Sequence, residues 1–376
     1  MEKSVNIFKL EEYLAKYEFS SKYLLCCSDA ESFAMSEILE MGGDQEKNLW
    51  RNLRLGYTES QGLPSLRKTV AKELYPGLDS ENILMFAGAE EGIFCALHAL
   101  IEARDHVIVL TPCYQSLLEI PRLKGADITE IQLKEDNDWR IDLSAVKKAI
   151  KSNTKCMIIN FPHNPTGQVI EADELNELTD ICKFKQIWLF SDEVYRLLGA
   201  PSKPWSSPAA CVYDKGLSLG VMSKAFGMAG LRIGWIACQD KWILKKIEHI
   251  KHYTAICNSA PAEILSLISL KHKEEILQRN NKIVADNLEL LEQFFIDYNH
   301  LFEWVRPQGG CVGFVKFKGM EPIDSFCDKL VRKKSVLLMP ASVYNYNSQH
   351  FRIGFGRKNM PLCLEQLKAF LHDENI

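Results

Sequence analysis

Ser223-Lys224-Ala225-Phe226-Gly227-Met228-Ala229-Gly230-Leu231-Arg232-Ile233-Gly234-Trp235 is the stretch on which the reading of this chain turns. A lysine directly follows a serine, small and glycine residues surround it, and an arginine stands further along the same stretch. A lysine amine becomes a useful nucleophile only where its surroundings make the neutral form accessible. Small neighbours let a flat ring approach the backbone closely. Together the pieces suit the offering of an amine to an aldehyde cofactor while a cation holds that cofactor's phosphate.

Upstream segments supply the rest of what pyridoxal phosphate (PLP) needs. Asn160-Phe161-Pro162-His163-Asn164-Pro165-Thr166-Gly167 follows the apolar run Cys156–Ile159, which reads as a buried strand ending in a turn. Ile187-Trp188-Leu189-Phe190 reads as a second buried strand, leading into Ser191-Asp192-Glu193-Val194-Tyr195. A carboxylate at a strand tip can sit under a pyridine nitrogen and keep it protonated, so that the ring withdraws electrons from a substrate carbanion. Asn164 and Tyr195 are the expected donors to the ring's phenolic oxygen.

With these motifs in this order, the chain resembles the fold-type I PLP-dependent enzymes of the class I/II aminotransferase family, over most of its length. Gly56-Tyr57-Thr58-Glu59-Ser60-Gln61-Gly62 is similar to the segment that sends a tyrosine to the neighbouring subunit's cofactor phosphate, which implies a homodimer. Gly88, Ala89 and Glu90 fall in a segment similar to the turn that opens a phosphate-holding helix, where free N–H groups and the dipole favour an anion. Tyr114 matches the ring that stacks on the pyridine, and Ser223 and Arg232 match phosphate contacts. Asp192, Tyr195 and Lys224 match the catalytic positions. Arg352, in Phe351-Arg352-Ile353-Gly354-Phe355, matches the arginine that binds the substrate α-carboxylate together with Asn164. The resemblance implies an α/β fold of the aspartate aminotransferase-like PLP-transferase type, with a mostly parallel seven-stranded sheet in a large domain and a smaller α+β domain.

Two departures from the family pattern stand out. Val221 occupies a position where a hydroxyl residue commonly contacts phosphate. Leu24-Leu25-Cys26-Cys27-Ser28-Asp29-Ala30-Glu31-Ser32 replaces a glycine-rich substrate loop, so the substrate-facing lid is unusual. The pair Glu90-Glu91 stands where small or hydroxyl residues are more usual; a helix-dipole role is the simplest reading, and substrate contact is the sharper one. His163 could approach substrate or serve only the loop that carries it.

Apolar runs near 83–87, 106–110, 128–133, 155–160, 186–190, 217–222 and 232–237 are expected strands, with helices over 90–102, 142–151 and 171–184 between them. This alternation argues for a mostly parallel sheet covered on both faces. A long helical pattern runs from about 241 to 298, followed by strands near 302–306, 311–317, 335–339 and 350–355. The expected organisation is residues 1–45 packing on the small domain and the active-site mouth, 46–250 as the PLP-binding domain, and 251–376 as the small C-terminal domain. Pro201–Pro208 reads as an exposed loop.

Composition agrees. At 376 residues with 47% hydrophobic side chains, the chain can bury a large core, and a net charge of −4 without a basic run argues against nucleic acid or an anionic membrane as main partner. Met1–Asn6 lacks the apolar stretch of a secretory signal, and a cytoplasmic location is expected. The 12 cysteines are scattered without Cys-x-x-Cys or zinc-finger spacing, so no metal is expected and they read as core residues. Cys113, beside Tyr114, is the one to watch for reactivity.

The resemblance implies that Lys224 carries PLP, serves as proton shuttle, and moves an amino group from an α-amino acid to a 2-oxo acid with ping-pong kinetics. The same cofactor residues also suit a related PLP enzyme that eliminates or cyclises an amino acid, of the capreomycidine synthase kind. A regulator built on this fold is disfavoured, because residues before Tyr57 leave no room for a DNA-binding domain and Lys224 and Asp192 are both present. Arg51, Arg54 and Arg306 are candidates for binding a distal substrate carboxylate, although ordinary surface charge is the simpler reading of each.

Overall fold

The computed structural model describes residues 6–199 and 201–375, so residues 1–5 of the N-terminal segment lie outside it. Near the N-terminus a helix, Lys9–Tyr17, precedes the short strand β1 (Tyr23–Leu24). The seven strands that follow are β2 (Ile83–Phe86), β3 (His106–Thr111), β4 (Asp127–Gln132), β5 (Thr154–Asn160), β6 (Trp188–Asp192), β7 (Gly216–Val221) and β8 (Gly234–Cys238). They form one sheet in the order β2-β8-β7-β6-β5-β3-β4. Each of the seven expected strands is present. β2, β6, β7 and β8 are buried along their whole length, as strands covered on both faces must be.

All neighbouring pairs run parallel except those made by β8, which is antiparallel to both β2 and β7. The reason is local. The chain leaves β7 and returns directly into β8 through residues 222–233, whose single 3-10 turn, Ala229–Leu231, is too short to carry it back to the other end of the sheet. Met222 N–H donates to the Ile233 carbonyl at 2.9 Å, and Met228 N–H donates to the Met222 carbonyl at 3.0 Å, pinning this return. Lys224 therefore sits on a short tether at the end of the sheet where β5, β6 and β7 also finish.

Helices Lys241–Lys251, Ala260–Lys271 and Lys273–Asp297 fill the expected helical stretch. Asp240 starts the first of them by accepting from the N–H groups of Trp242 and Ile243. The C-terminal part carries β9 (Phe302–Trp304), β10 (Val312–Phe317), β11 (Val336–Leu337), β12 (Met339–Pro340) and β13 (His350–Gly354). Of these, β12-β13-β10-β9 form an antiparallel sheet whose core gathers Phe302, Phe317, Phe326 and Phe351.

The single strand expected near 335–339 is in fact two. Val336–Leu337 pairs in parallel with β1, whereas Met339–Pro340 pairs with β13. Leu338 between them turns its carbonyl to the Tyr13 hydroxyl, which donates at 2.6 Å. An N-terminal segment far away in sequence thus splits the strand, and no local pattern in 335–339 announces it. Helix Lys9–Tyr17 is held to the same region by the Tyr17 hydroxyl, which donates to Asp328 at 2.9 Å. Helices Met35–Met41 and Asp44–Arg51 pack instead on helix Ala260–Lys271. Among the described residues no helix is long and apolar enough to cross a membrane.

Candidate active site

A cavity of about 370 Å³ opens at the carboxyl ends of β5, β6 and β7, the usual place for ligands in an open α/β sheet. Asn164, Asp192, Tyr195, Ser223, Lys224, Arg232 and Arg352 all line it, with Ala89, Glu90 and Tyr114. Residues distant in sequence thus converge on one space. Of the remaining expected site residues, Gly88 directly precedes the lining residue Ala89, whereas Tyr57 is 92% exposed and does not reach the cavity of its own chain.

Asp192 is the last residue of β6 and is buried, with its carboxylate accepting the Val194 N–H at 3.2 Å. Burial pushes its pKa up to about 7, against the pull of that N–H and of Lys224. Lys224 is driven the other way: burial lowers its amine from the ordinary lysine value, with Asp29 opposing. The carboxyl group and the amine are thereby brought toward the range where each can exchange a proton near neutral pH.

Gly88 opens helix Ala89–Leu100 at φ +94°, a backbone conformation suited to glycine. A Cβ placed there would fall 2.6 Å from Arg232 Nη2, so the guanidinium lies directly against the helix start. Gly234 lets β8 come equally near, since a Cβ on it would meet the Gly88 carbonyl carbon at 2.8 Å and Ala89 N at 3.0 Å. Free N–H groups, the helix dipole and a cation therefore converge on one spot, which fits a phosphate. Ser223 lines the same cavity, as does Val221, which contributes only apolar surface. PLP fits this donor set: an anion cradle, a buried carboxyl and a depressed-pKa amine line a single cavity.

Arg352 is 2% exposed. Its Nη1 donates to the Tyr344 hydroxyl at 2.6 Å and to Asn164 Oδ1 at 3.3 Å, and its Nη2 donates to the Cys26 carbonyl at 2.8 Å. Nε is buried and has no partner. Such an orphaned donor on a cavity wall is suited to a carboxylate ligand. Asn164 is held in turn by the Tyr344 hydroxyl, which donates to its Oδ1 at 3.0 Å, and by its own N–H, which donates to Asn160 Oδ1 at 2.9 Å.

The unusual N-terminal stretch is part of the same wall. Lys224 Nζ donates to Ser28 Oγ at 2.9 Å, and the Tyr195 hydroxyl donates to the Ser28 carbonyl at 2.8 Å. Asp29 pairs with Arg357, whose Nη2 reaches both carboxylate oxygens at 2.9 and 3.0 Å. Sequence reasoning does not single out residues 28 and 29, Tyr344 or Arg357 as site residues. The departure of 24–32 from the glycine-rich pattern is the only signal for the first two; Tyr344 and Arg357 give none.

Two expectations about side chains are corrected or resolved. Cys113 is buried and burial pushes its thiol up to about 12, so it is an inert core residue rather than a reactive one. His163 is buried, pushed down to about 3 by that burial, and bonded through Nδ1 to Thr166 Oγ1 at 2.8 Å, which makes it a loop residue. Arg306 pairs with Glu292, and neither it nor Arg51 or Arg54 lines the cavity.

Sheet order and cavity together define a fold-type I PLP enzyme. The family model for aminotransferase class I and II matches residues 34–363, and the chain belongs to that family. It is 31% identical to a PLP-dependent aminotransferase from Streptococcus suis, whose crystal structure superposes with a TM-score of 0.92 over 99% of both chains. It is similar to capreomycidine synthase of Streptomyces vinaceus, at 26% identity over 351 residues, covering 92% of this chain and 88% of that protein. An aspartate aminotransferase of Geobacillus stearothermophilus is 27% identical over 299 residues, covering 76% of each chain. A PLP-dependent cyclase at 23% identity shares the fold, with a TM-score of 0.90. The cofactor is pyridoxal 5'-phosphate.

Proposed function

We propose that the protein moves the amino group of an α-amino acid to a 2-oxo acid, with Lys224 as the lysine that holds PLP and shuttles the proton. The observation that carries this reading is the meeting of Lys224, Asp192, Arg232 and Arg352 in one cavity. When bound there, PLP supplies an aldehyde that takes up the substrate amino group and a ring that draws electrons from Cα. Asp192 holds a proton on the ring nitrogen. The first N–H groups of helix Ala89–Leu100, with Ser223 and Arg232, hold the phosphate, and Tyr114 packs against the ring. Asn164 and Tyr195 donate to the phenolic oxygen. Arg352 docks the substrate α-carboxylate through its unpartnered Nε, so that Cα–H lies near Lys224. The Lys224 amine would take that proton and later give it back, and positioning would make such a transfer fast.

On this reading, residues 46–250 form the cofactor-bearing domain and 251–376 the unit that brings Arg352. The exposure of Tyr57 supports a homodimer in which this side chain serves the other subunit's phosphate. A cytoplasmic place in amino acid metabolism is part of the same proposal.

A second reading is supported by the likeness to capreomycidine synthase over 92% of the chain: elimination or cyclisation on the same cofactor residues. Single additions of amino acids to the PLP-loaded protein, without an acceptor, separate the two. Conversion of the cofactor's absorption band to that of pyridoxamine phosphate, with one oxo acid released per site, is the expected result. A persistent band with ammonia or a dehydrated or cyclised product would favour the second reading. A protein that never takes up PLP would overturn both.

A further inference from the structure

We propose that the amino acid substrate carries a cationic side chain, whose distal charge is received by the carboxylates of Glu11, Glu18 and Glu90. The inference rests on reading the cavity as a PLP amino-acid site, and it specifies what that site selects. Each cation lining the cavity is already engaged. Lys224 serves the cofactor, Arg232 the phosphate cradle, and Arg352, with its free Nε, the α-carboxylate, while Arg357 is paired with Asp29. Among the described residues, no arginine or lysine on this wall is left for a second substrate carboxylate.

The carboxylates are in the opposite position. Glu11, Leu14 and Glu18 follow one another at helical spacing, so helix Lys9–Tyr17 turns one face with two acids toward the cavity mouth. Among the described residues, neither glutamate forms a salt bridge or side-chain hydrogen bond, although surface acids elsewhere commonly pair with lysine or arginine. Glu18 also caps the carboxyl end of its helix, where the dipole disfavours a negative charge. Glu90 accepts the Ser116 hydroxyl but has no cationic partner among the described residues. A carboxylate cluster alone would say little. Here it shares a cavity with the buried, unpartnered Arg352 Nε, which awaits an anion. A ligand with a carboxylate at one end and a cation at the other satisfies both.

The test is calorimetric binding of three unreactive acids to the PLP-loaded protein: 5-guanidinopentanoate, hexanoate and adipate. None has an amine to engage the cofactor, so the readout is affinity rather than turnover. The guanidino acid is expected to bind at least about tenfold tighter than hexanoate, with adipate weakest, and the preference should shrink as salt rises. In Glu11→Gln/Glu18→Gln the ratio of guanidino acid to hexanoate affinity should fall to within about threefold. Equal or tighter binding of hexanoate or adipate, or a preference that survives the double substitution, overturns the proposal. PLP loading is read separately by absorbance, so a protein that loads cofactor but prefers adipate refutes only this inference.

Discussion

At the carboxyl ends of β5, β6 and β7, the floor of the cavity is built from residues close together in the chain: Asn160 with Asn164, Asp192 with Val194, and Met222 with Met228. The facing wall, Cys26–Asp29, is hung entirely on distant segments. Gly354 N–H donates to the Leu25 carbonyl at 2.8 Å, Glu31 N–H donates to the Gly356 carbonyl at 2.8 Å, and Ser28 receives Lys224. The floor is stiffened by a sheet buried on both faces, whereas the wall is only as firm as its contacts with β13 and the lysine loop. Chemistry common to many substrates belongs on the floor, and selection among substrates belongs on the wall.

The contrast is sharpest at Asp192. Asp192→Asn should slow the reaction about 10²–10³-fold, since an amide cannot hold the ring proton electrostatically. Stability should move the other way. The folded-state pKa near 7 lies above the ordinary carboxylate value, so the cofactor-free protein favours the protonated form. Its stability should therefore rise as pH falls from about 7 to about 4, by about 4 kcal/mol for this group. In Asp192→Asn that pH-dependent gain should vanish, and thermal unfolding of the cofactor-free variant at pH 8 should shift upward. An unchanged pH profile would mean that Asp192 is not held in a dry environment.

Arg352→Lys tests the junction of floor and wall. Lysine keeps the charge but loses the Nε edge and the contacts to Tyr344 and Cys26. KM for the amino donor should rise about 10–100-fold, with PLP affinity little changed. A fall in PLP affinity of the same size would place Arg352 on the cofactor instead.

Two glycines allow one methyl group to be added on each side. In Gly88→Ala the new Cβ meets Arg232 at a positive φ, so PLP should bind about tenfold more weakly. In Gly354→Ala it would run into the Cys27 carbonyl oxygen, so the wall must shift. Substrate affinity should then fall about tenfold while PLP binding holds. The smallest expected effect is at Ser28. Ser28→Ala removes one hydrogen bond to the Lys224 amine, worth about 1 kcal/mol, so kcat should fall a few-fold and the alkaline limb of the pH–rate profile should move. A structural role alone would leave that limb in place.

The same division governs what is legible in the sequence. The seven strands of the large sheet are readable because doubly covered strands are continuous apolar runs, and the floor residues follow those runs within a few positions. Lys224, Asp192, Asn164, Arg232 and Arg352 all line the expected cavity, the first three for that reason, Arg232 because it stands just before β8, and Arg352 because it lies on a strand of the smaller sheet. The wall is not readable. Ser28 meets Lys224 across 196 residues, and Cys26 meets Arg352 across 326. Contacts of that span leave no periodicity and no turn signal. Residues 335–339 read as one continuous strand because Tyr13, which takes the carbonyl of Leu338, lies in another part of the chain. The position of Cys113 beside Tyr114 says nothing about depth, and depth sets a thiol's pKa.

Borohydride reduction of the PLP-loaded protein, followed by peptide mass spectrometry, tests the central claim most directly. A pyridoxyl phosphate adduct on Lys224, absent from Lys224→Ala, is the predicted result. An adduct on another lysine, or no adduct in a protein that retains the cofactor, would contradict the account.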